Sequence, residues 1–178
     1  MIKQKASQVG EPVMRKKALK VSDYFSKETK KTVCDLIDSM RHHALVGMAA
    51  PQIGVCSRIF VTEIRETKLR KAHSANDIDD LRVFINPKVI SVSEKTTKGW
   101  EGCGSVACAD LFAKVERPKE ITVEAFDKKG EKFTLTAKGL LARVIQHEID
   151  HLNGVVFTDI ADRKTFMSRE PYLALTAR

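Results

Sequence analysis

The stretch QHEIDH, Gln146 to His151, restricts this chain more than any other. It sets His147 and His151 four residues apart, with Glu148 directly after the first. On an α-helix, positions four apart lie only about 40° apart around the axis, so both imidazoles can reach one cation from a single rigid element. Glu148 projects alongside, where it can touch a water without being a ligand. A metal lowers the pKa of a bound water to about 7, and a neighbouring carboxylate can take the proton. The pattern therefore predicts a metal-hydrolysis helix and not two surface histidines. Val144 and Leu140 continue the same stripe one and two turns earlier and predict an apolar wall on the metal face.

Two histidines do not complete a site. One metalloprotease pattern continues with a glycine and a third histidine, but here Gly154 is followed by Phe157 at the required spacing. Two candidates remain. Glu170 lies 19 residues beyond His151, where thermolysin-like enzymes place a downstream glutamate. Cys103, in WEGCGSVAC, offers a thiolate that binds Zn(II) or Fe(II) strongly, with glycines on both sides to let the backbone approach.

The rest of the chain frames that helix. Ser26 is a candidate N-cap, and Val33, Leu36, Ile37, Met40 and Ala44 recur at helical spacing, predicting a helix over 27–43. GMAAPQIG (47–54) should break it. RIFVTEI (58–64), RVFINP (82–87), KVISVSE (88–94) and EITVEAF (120–126) alternate as half-buried strands. DKKG (127–130) turns the last of these into a hairpin with KFTLTA, and a polar loop is expected between the first two. The metal helix should run from near Lys138 to about Asn153 and stop at Gly154. VVFTD reads as a short strand and DRKTFMSRE as a last helix before Pro171. Strands first and the main helix late predict an α+β fold, with antiparallel or mixed strands packed around a central metal-binding helix in one compact domain over 1–178.

Composition excludes several classes. Hydrophobic residues make up 43% and charged residues 30%, as in ordinary globular proteins. No apolar run approaches the ~18 residues of a membrane span. No apolar segment follows the basic start MIKQKASQVGEPVMRKK, so no secretory signal is expected and the location is expected to be cytoplasmic. The four cysteines form no CxxC pair and no disulfide framework is expected; Cys34 and Cys56 read as core thiols and Cys108 as structural. His42, His43 and His73 read as solvent or helix-end histidines, and Asp150 as a helix-fixing ion-pair partner. The net charge of +8 fits a solvated basic exterior, or an anionic partner such as a ribosome surface.

GMAAPQIG (47–54), EGCGS (101–105) and QHEIDH (146–151) resemble, in order, the three motifs of peptide deformylase. The likeness extends to GEPVMRKKA (10–18), INP (85–87) and GLLARVIQHEIDHLNGVVFTD (139–159). That family removes the formyl group from the N-terminal methionine of new polypeptides. The resemblance implies that Cys103, His147 and His151 bind one divalent metal, Fe(II) or Zn(II), and that Glu148 is the general base and acid. It implies that Gln52 and the Gly104 N–H polarise the formyl oxygen. The methionine side chain is expected in a pocket lined by Val46, Gly47, Leu140 and Val144. The family usually has glycine where Leu45 stands, leucine where Gly104 stands and proline where Ala107 stands. Gly104 thus reads as a loosened site, and Gly104→Leu is expected to raise efficiency. The competing readings are a thermolysin-like peptidase using Glu170, and a catalytically weak relative that binds nascent chains or ribosomes.

Overall fold

A computed structural model describes residues 6–67 and 78–176. Helix α1 (Lys27–His42) begins where the sequence predicts, because the Ser26 side chain accepts a hydrogen bond from the Thr29 N–H at 3.0 Å. Its apolar stripe of Val33, Leu36 and Met40 is buried against the sheet strands that follow. The chain then turns at Ala44 (φ 55°) into β1 (Gly47–Ala49) and a 3-10 turn over Ala50–Ile53.

Among the described residues there are two antiparallel sheets. In the larger, β1, β2 (Ile59–Ile64), β3 (Asp79–Val92), β6 (Glu120–Phe126) and β7 (Lys132–Lys138) are neighbours in that order. The smaller consists of β4 (Thr96–Gly102), β5 (Leu111–Pro118) and β8 (Met167–Ser168), so its hairpin is inserted between β3 and β6. Helix α2 (Gly139–Leu152) packs on strands of both sheets. Ala142, Ile145, Ile149 and Leu152 pack with Phe60, Phe84, Val123 and Ala125 in the main core. This is the expected α+β arrangement. Asn153 caps the helix and Gly154, at φ 77°, ends it. A Cβ on Gly154 would lie 2.5 Å from the Arg15 carbonyl oxygen, so only glycine lets the N-terminal segment pass there.

Several expectations need correction. RVFINP and KVISVSE form one strand, β3, which tolerates Pro87 because the register shifts between Ile85 and Lys88. At that shift Asn86 adopts φ 52° and its amide bonds both the N–H and the carbonyl of Val21, each at 2.8 Å. The polar loop between β2 and β3 lies mostly outside the described residues, as does His73, but Asp79 and Asp80 already belong to β3. VVFTD is not a strand: Phe157–Ile160 form the short helix α3, with the Asp159 carboxylate accepting from the Val156 N–H at 2.9 Å. Three apolar residues followed by Thr158 and Asp159 carry no period that separates the two outcomes, and this local cap decides it. Nor is DRKTFMSRE a helix: it holds a 3-10 turn over Arg163–Thr165 and the strand β8, and the last helix, α4 (Arg169–Thr176), starts only at its end and includes Pro171, whose missing N–H matters little in a first turn. Cys34 is exposed, since the buried face of α1 passes through Val33 and Leu36 instead, and Cys56, just before β2, is half-buried. Cys108 is exposed too.

Candidate metal centre and active site

Cys103 is the first residue past the β4–β5 ladder, which closes at Gly102 opposite Phe112. His147 and His151 face it from α2. One ligand atom from each of the three lies within 4.8 Å of the others, and all three residues are buried. The Cys103 Sγ is 3.2 Å from His151 Nε2. Burial pushes the Cys103 thiol up, but the charges and hydrogen bonds of His151 and His147 outweigh it and hold the thiol well below its ordinary value. His147 is drawn the other way: burial opposes its charge, while Cys103 and Glu101 push it well above the ordinary histidine range. A buried thiolate and two imidazoles converging on one point suit a borderline metal such as Zn(II) or Fe(II). Glu170 is exposed in the first turn of α4 and is absent from this cluster.

The orientation of His147 is fixed from behind. Its Nδ1 faces Glu101 Oε2 at 2.9 Å, which leaves Nε2 for the cluster. The same carboxylate accepts from Arg117 Nε at 2.9 Å, from Arg117 Nη2 at 3.0 Å and from Arg143 Nη1 at 2.7 Å. Burial alone would raise the Glu101 carboxyl, but hydrogen bonds from His147 and Arg117 keep it well below the usual carboxylate range. Arg117 also pairs with Asp150, which confirms the structural role expected of that aspartate. Glu101, Arg117 and Arg143 were not singled out by the sequence, where isolated charges read as solvated surface. Only their burial together reveals them.

Glu148 lies beside the cluster with its Oε2 buried and without a hydrogen-bond partner. Burial, foremost, pushes its carboxyl up to about 7, with the two histidines acting against that rise. A Cβ on Gly47 would lie 2.5 Å from Glu148 Oε1 and 2.7 Å from Val144 Cγ1, so the backbone of β1 touches the acid directly. Gln52 is buried, not the surface amide its residue type would suggest. The Gln52 Oε1 accepts from the Ala49 N–H at 2.7 Å, which aims Nε2 at Ser105 Oγ (3.3 Å) and Cys103 Sγ (3.5 Å). The N-terminal segment laces the two loops together: Ser7 N–H donates to Gln52 O at 2.8 Å, and Gln8 Nε2 donates to Gly104 O at 2.9 Å.

A cavity of about 150 Å³ opens onto these groups. Its lining includes every residue expected at the substrate side, Val46, Gly47, Leu140 and Val144, together with Gln52, Gly104, His147 and Glu148. Leu45, Trp100 and Arg143 join them. The space over Gly104 is not open, however. A Cβ built there would meet Leu45 Cδ1 at 3.1 Å, so a leucine would not simply fill a gap, as the sequence suggested.

The comparisons with known proteins agree with this geometry. The family model for polypeptide deformylase matches residues 3–166. The peptide deformylase of Natranaerobius thermophilus is 35% identical over 152 residues, spanning 85% of this chain and 88% of the relative. That of Thermotoga maritima is 35% identical over 162 residues, spanning 90% and 89%. The Thermotoga maritima crystal structure superposes with a TM-score of 0.76 at 34% identity, covering 89% of this chain and 97% of that one. An Acinetobacter baumannii peptide deformylase with bound Met-Ala-Ser gives a TM-score of 0.79 at 27% identity, covering 87% and 97%. A match of this extent, on a chain whose thiolate and paired histidines already converge beside a buried glutamate, places the chain in the peptide deformylase family.

Proposed function

We propose that the chain works as one catalytic domain in which Cys103, His147 and His151 hold a divalent metal while Glu148, Gln52 and the Gly104 N–H act on the formyl group. The protein is a peptide deformylase, a metal-dependent hydrolase that releases formate from N-formyl-methionyl polypeptides. The observation that carries the residue roles is the buried convergence of three ligand atoms within 4.8 Å, next to a glutamate with an unpartnered oxygen. When bound, the metal supplies Lewis acidity that polarises the carbonyl and acidifies a water near neutral pH.

The chain's own residues do the rest. Glu148 takes the proton of the attacking water and delivers it to the nitrogen of the leaving amine, so the C–N bond breaks with formate and a free N-terminus as products. Gln52 Nε2, pointed by the bond that anchors its Oε1, and the Gly104 N–H donate to the formyl oxygen as it gains charge. Donors of this kind are each worth about 3–4 kcal/mol in comparable hydrolases. Val46, Gly47, Leu140 and Val144 enclose the methionine side chain. We assign Fe(II) first, with Zn(II) compatible with the same donors. The net charge of +8 suits an enzyme that meets nascent chains beside an anionic ribosomal surface.

The test pairs metal analysis with formate release from a formyl-methionyl peptide. Cys103→Ala should lose the metal and the activity, whereas Glu170→Ala should keep both. Cleavage of internal peptide bonds, or metal lost from Glu170→Ala and retained by Cys103→Ala, would overturn the reading.

A further inference from the structure

Gly104 follows the ligand cysteine, yet its backbone does not ask for glycine. Its φ lies outside the left-handed region, where the positive-φ glycines are Gly10, Gly54, Gly130, Gly139 and Gly154. Any L-residue could take this conformation. The only close obstacle to a Cβ is Leu45 Cδ1 at 3.1 Å; the next atoms, Ala6 Cβ and Leu45 Cδ2, are at 4.0 Å, ordinary contact distance. The backbone that carries the Leu45 side chain is held on both sides. Its N–H donates to Met40 O at 2.9 Å, closing the left-handed turn at Ala44, and its carbonyl accepts from Arg65 Nη2 at 3.1 Å. Both residues line the cavity that holds Gln52 and Glu148.

We propose that Leu45 is a positioning residue for the reaction, and that it and Gly104 form an exchanged-volume pair. The Leu45 side chain reaches across from the segment before β1 and covers the Cys103–Ser105 loop, a cover that Gly104 cannot provide for itself. It thereby fixes where the Gly104 N–H points and how wide the cavity is beside it. The two departures at positions 45 and 104 are then one coupled change. The inference rests on the reading that formyl chemistry takes place between Cys103 and Gln52.

A double-mutant cycle decides it, with Leu45→Ala, Gly104→Leu and the pair. Each variant is measured for metal content, for the melting temperature of the metal-loaded protein, and for kcat and KM on a formyl-methionyl peptide. Gly104→Leu alone should lower kcat/KM at least tenfold, and Leu45→Ala about fivefold with most of the loss in kcat. The double variant should return to within about threefold of the parent, with metal content unchanged. Its melting temperature should exceed the sum of the two single shifts. If Gly104→Leu does not fold, Gly104→Ala with Leu45→Ala gives the same cycle, because the Cβ alone already meets Leu45. Additive effects in both melting temperature and kcat/KM would overturn the pair. Coupling in melting temperature with additive kinetics would reduce it to packing and overturn the positioning role. A parent that binds metal but releases no formate would sink the deformylase chemistry, while the thermal cycle would still decide the pair.

Discussion

Glu148 is the residue whose surroundings say most about its task. It is buried beside the ligands, pushed up to about 7 by that burial, and left with one oxygen free of partners. Glu148→Gln keeps the volume and the polarity but cannot accept a proton. Turnover should fall by ~10²–10⁴ while metal content stays at the parental level; a variant with most of its turnover would remove Glu148 from the mechanism. A second residue-scale expectation concerns the turn after the cysteine loop. Ala107, Cys108 and Ala109 are three consecutive non-glycine residues at positive φ (47°, 54° and 66°). Each such L-residue costs roughly 1–2 kcal/mol, of which glycine recovers part after its own entropic cost of ~0.5–1 kcal/mol. Ala109→Gly should therefore stabilise the fold by ~0.5–1 kcal/mol in chemical denaturation, where the same change within α2 at Ala142 would destabilise it.

At the scale of elements, the ends of helices and strands are pinned by ionic contacts that pH can release. Glu63, near the end of β2, accepts from Arg41 at the end of α1 and from Arg65, and Arg41 foremost draws its carboxyl below the ordinary value. A depressed carboxyl contributes stability that is complete above its unfolded value, about 4.3, and is lost as pH falls through the folded one. Glu63→Gln should thus lower stability by ~0.5–1 kcal/mol at pH 7, and the difference should shrink as pH falls through the depressed folded value. A constant difference across that range would show that the pair is not electrostatic. The elements themselves were unevenly legible. α1, β2, the β6–β7 hairpin and α2 carry clear periods, a cap or a turn, and they lie where the sequence puts them. β4 reads TTKGWEG and shows no alternation, because its stability comes from pairing with β5 and not from one buried face. Spacing therefore leaves both Cys103 and Glu170 as third ligands, and only the likeness of EGCGS to the family motif separates them. The partners of Glu101 were invisible because burial of a charge is a tertiary fact.

On the scale of the whole molecule, Glu101 on β4 ties the smaller sheet to α2 through Arg143 and His147, and ties β4 to β5 through Arg117. Removing the one anion leaves two guanidinium groups buried without it. Glu101→Leu should cost ~3–5 kcal/mol and weaken metal affinity by ~10–100-fold, measured by thermal unfolding and metal competition. If both values matched the parent, the network would have no part in holding His147. The insertion of the β4–β5 hairpin between β3 and β6 has a consequence for how the molecule opens. Cys103 leaves that hairpin and the histidines stand on a helix that also packs on the larger sheet, so a metal held by all three would add a link between two parts that otherwise meet largely through ion pairs and hydrogen bonds such as Gln146 Nε2 to Pro118 O. Chelation should then not soften the protein evenly. Amide hydrogens of β4 and β5 should exchange faster by hydrogen–deuterium measurement, while β2, β3 and β6 keep the protection of global unfolding. Uniform acceleration across both sheets would mean they open as one unit. The smaller sheet would then behave as a hinged panel whose latch is the reactive centre itself, so that losing the metal costs the enzyme its chemistry and its local order together.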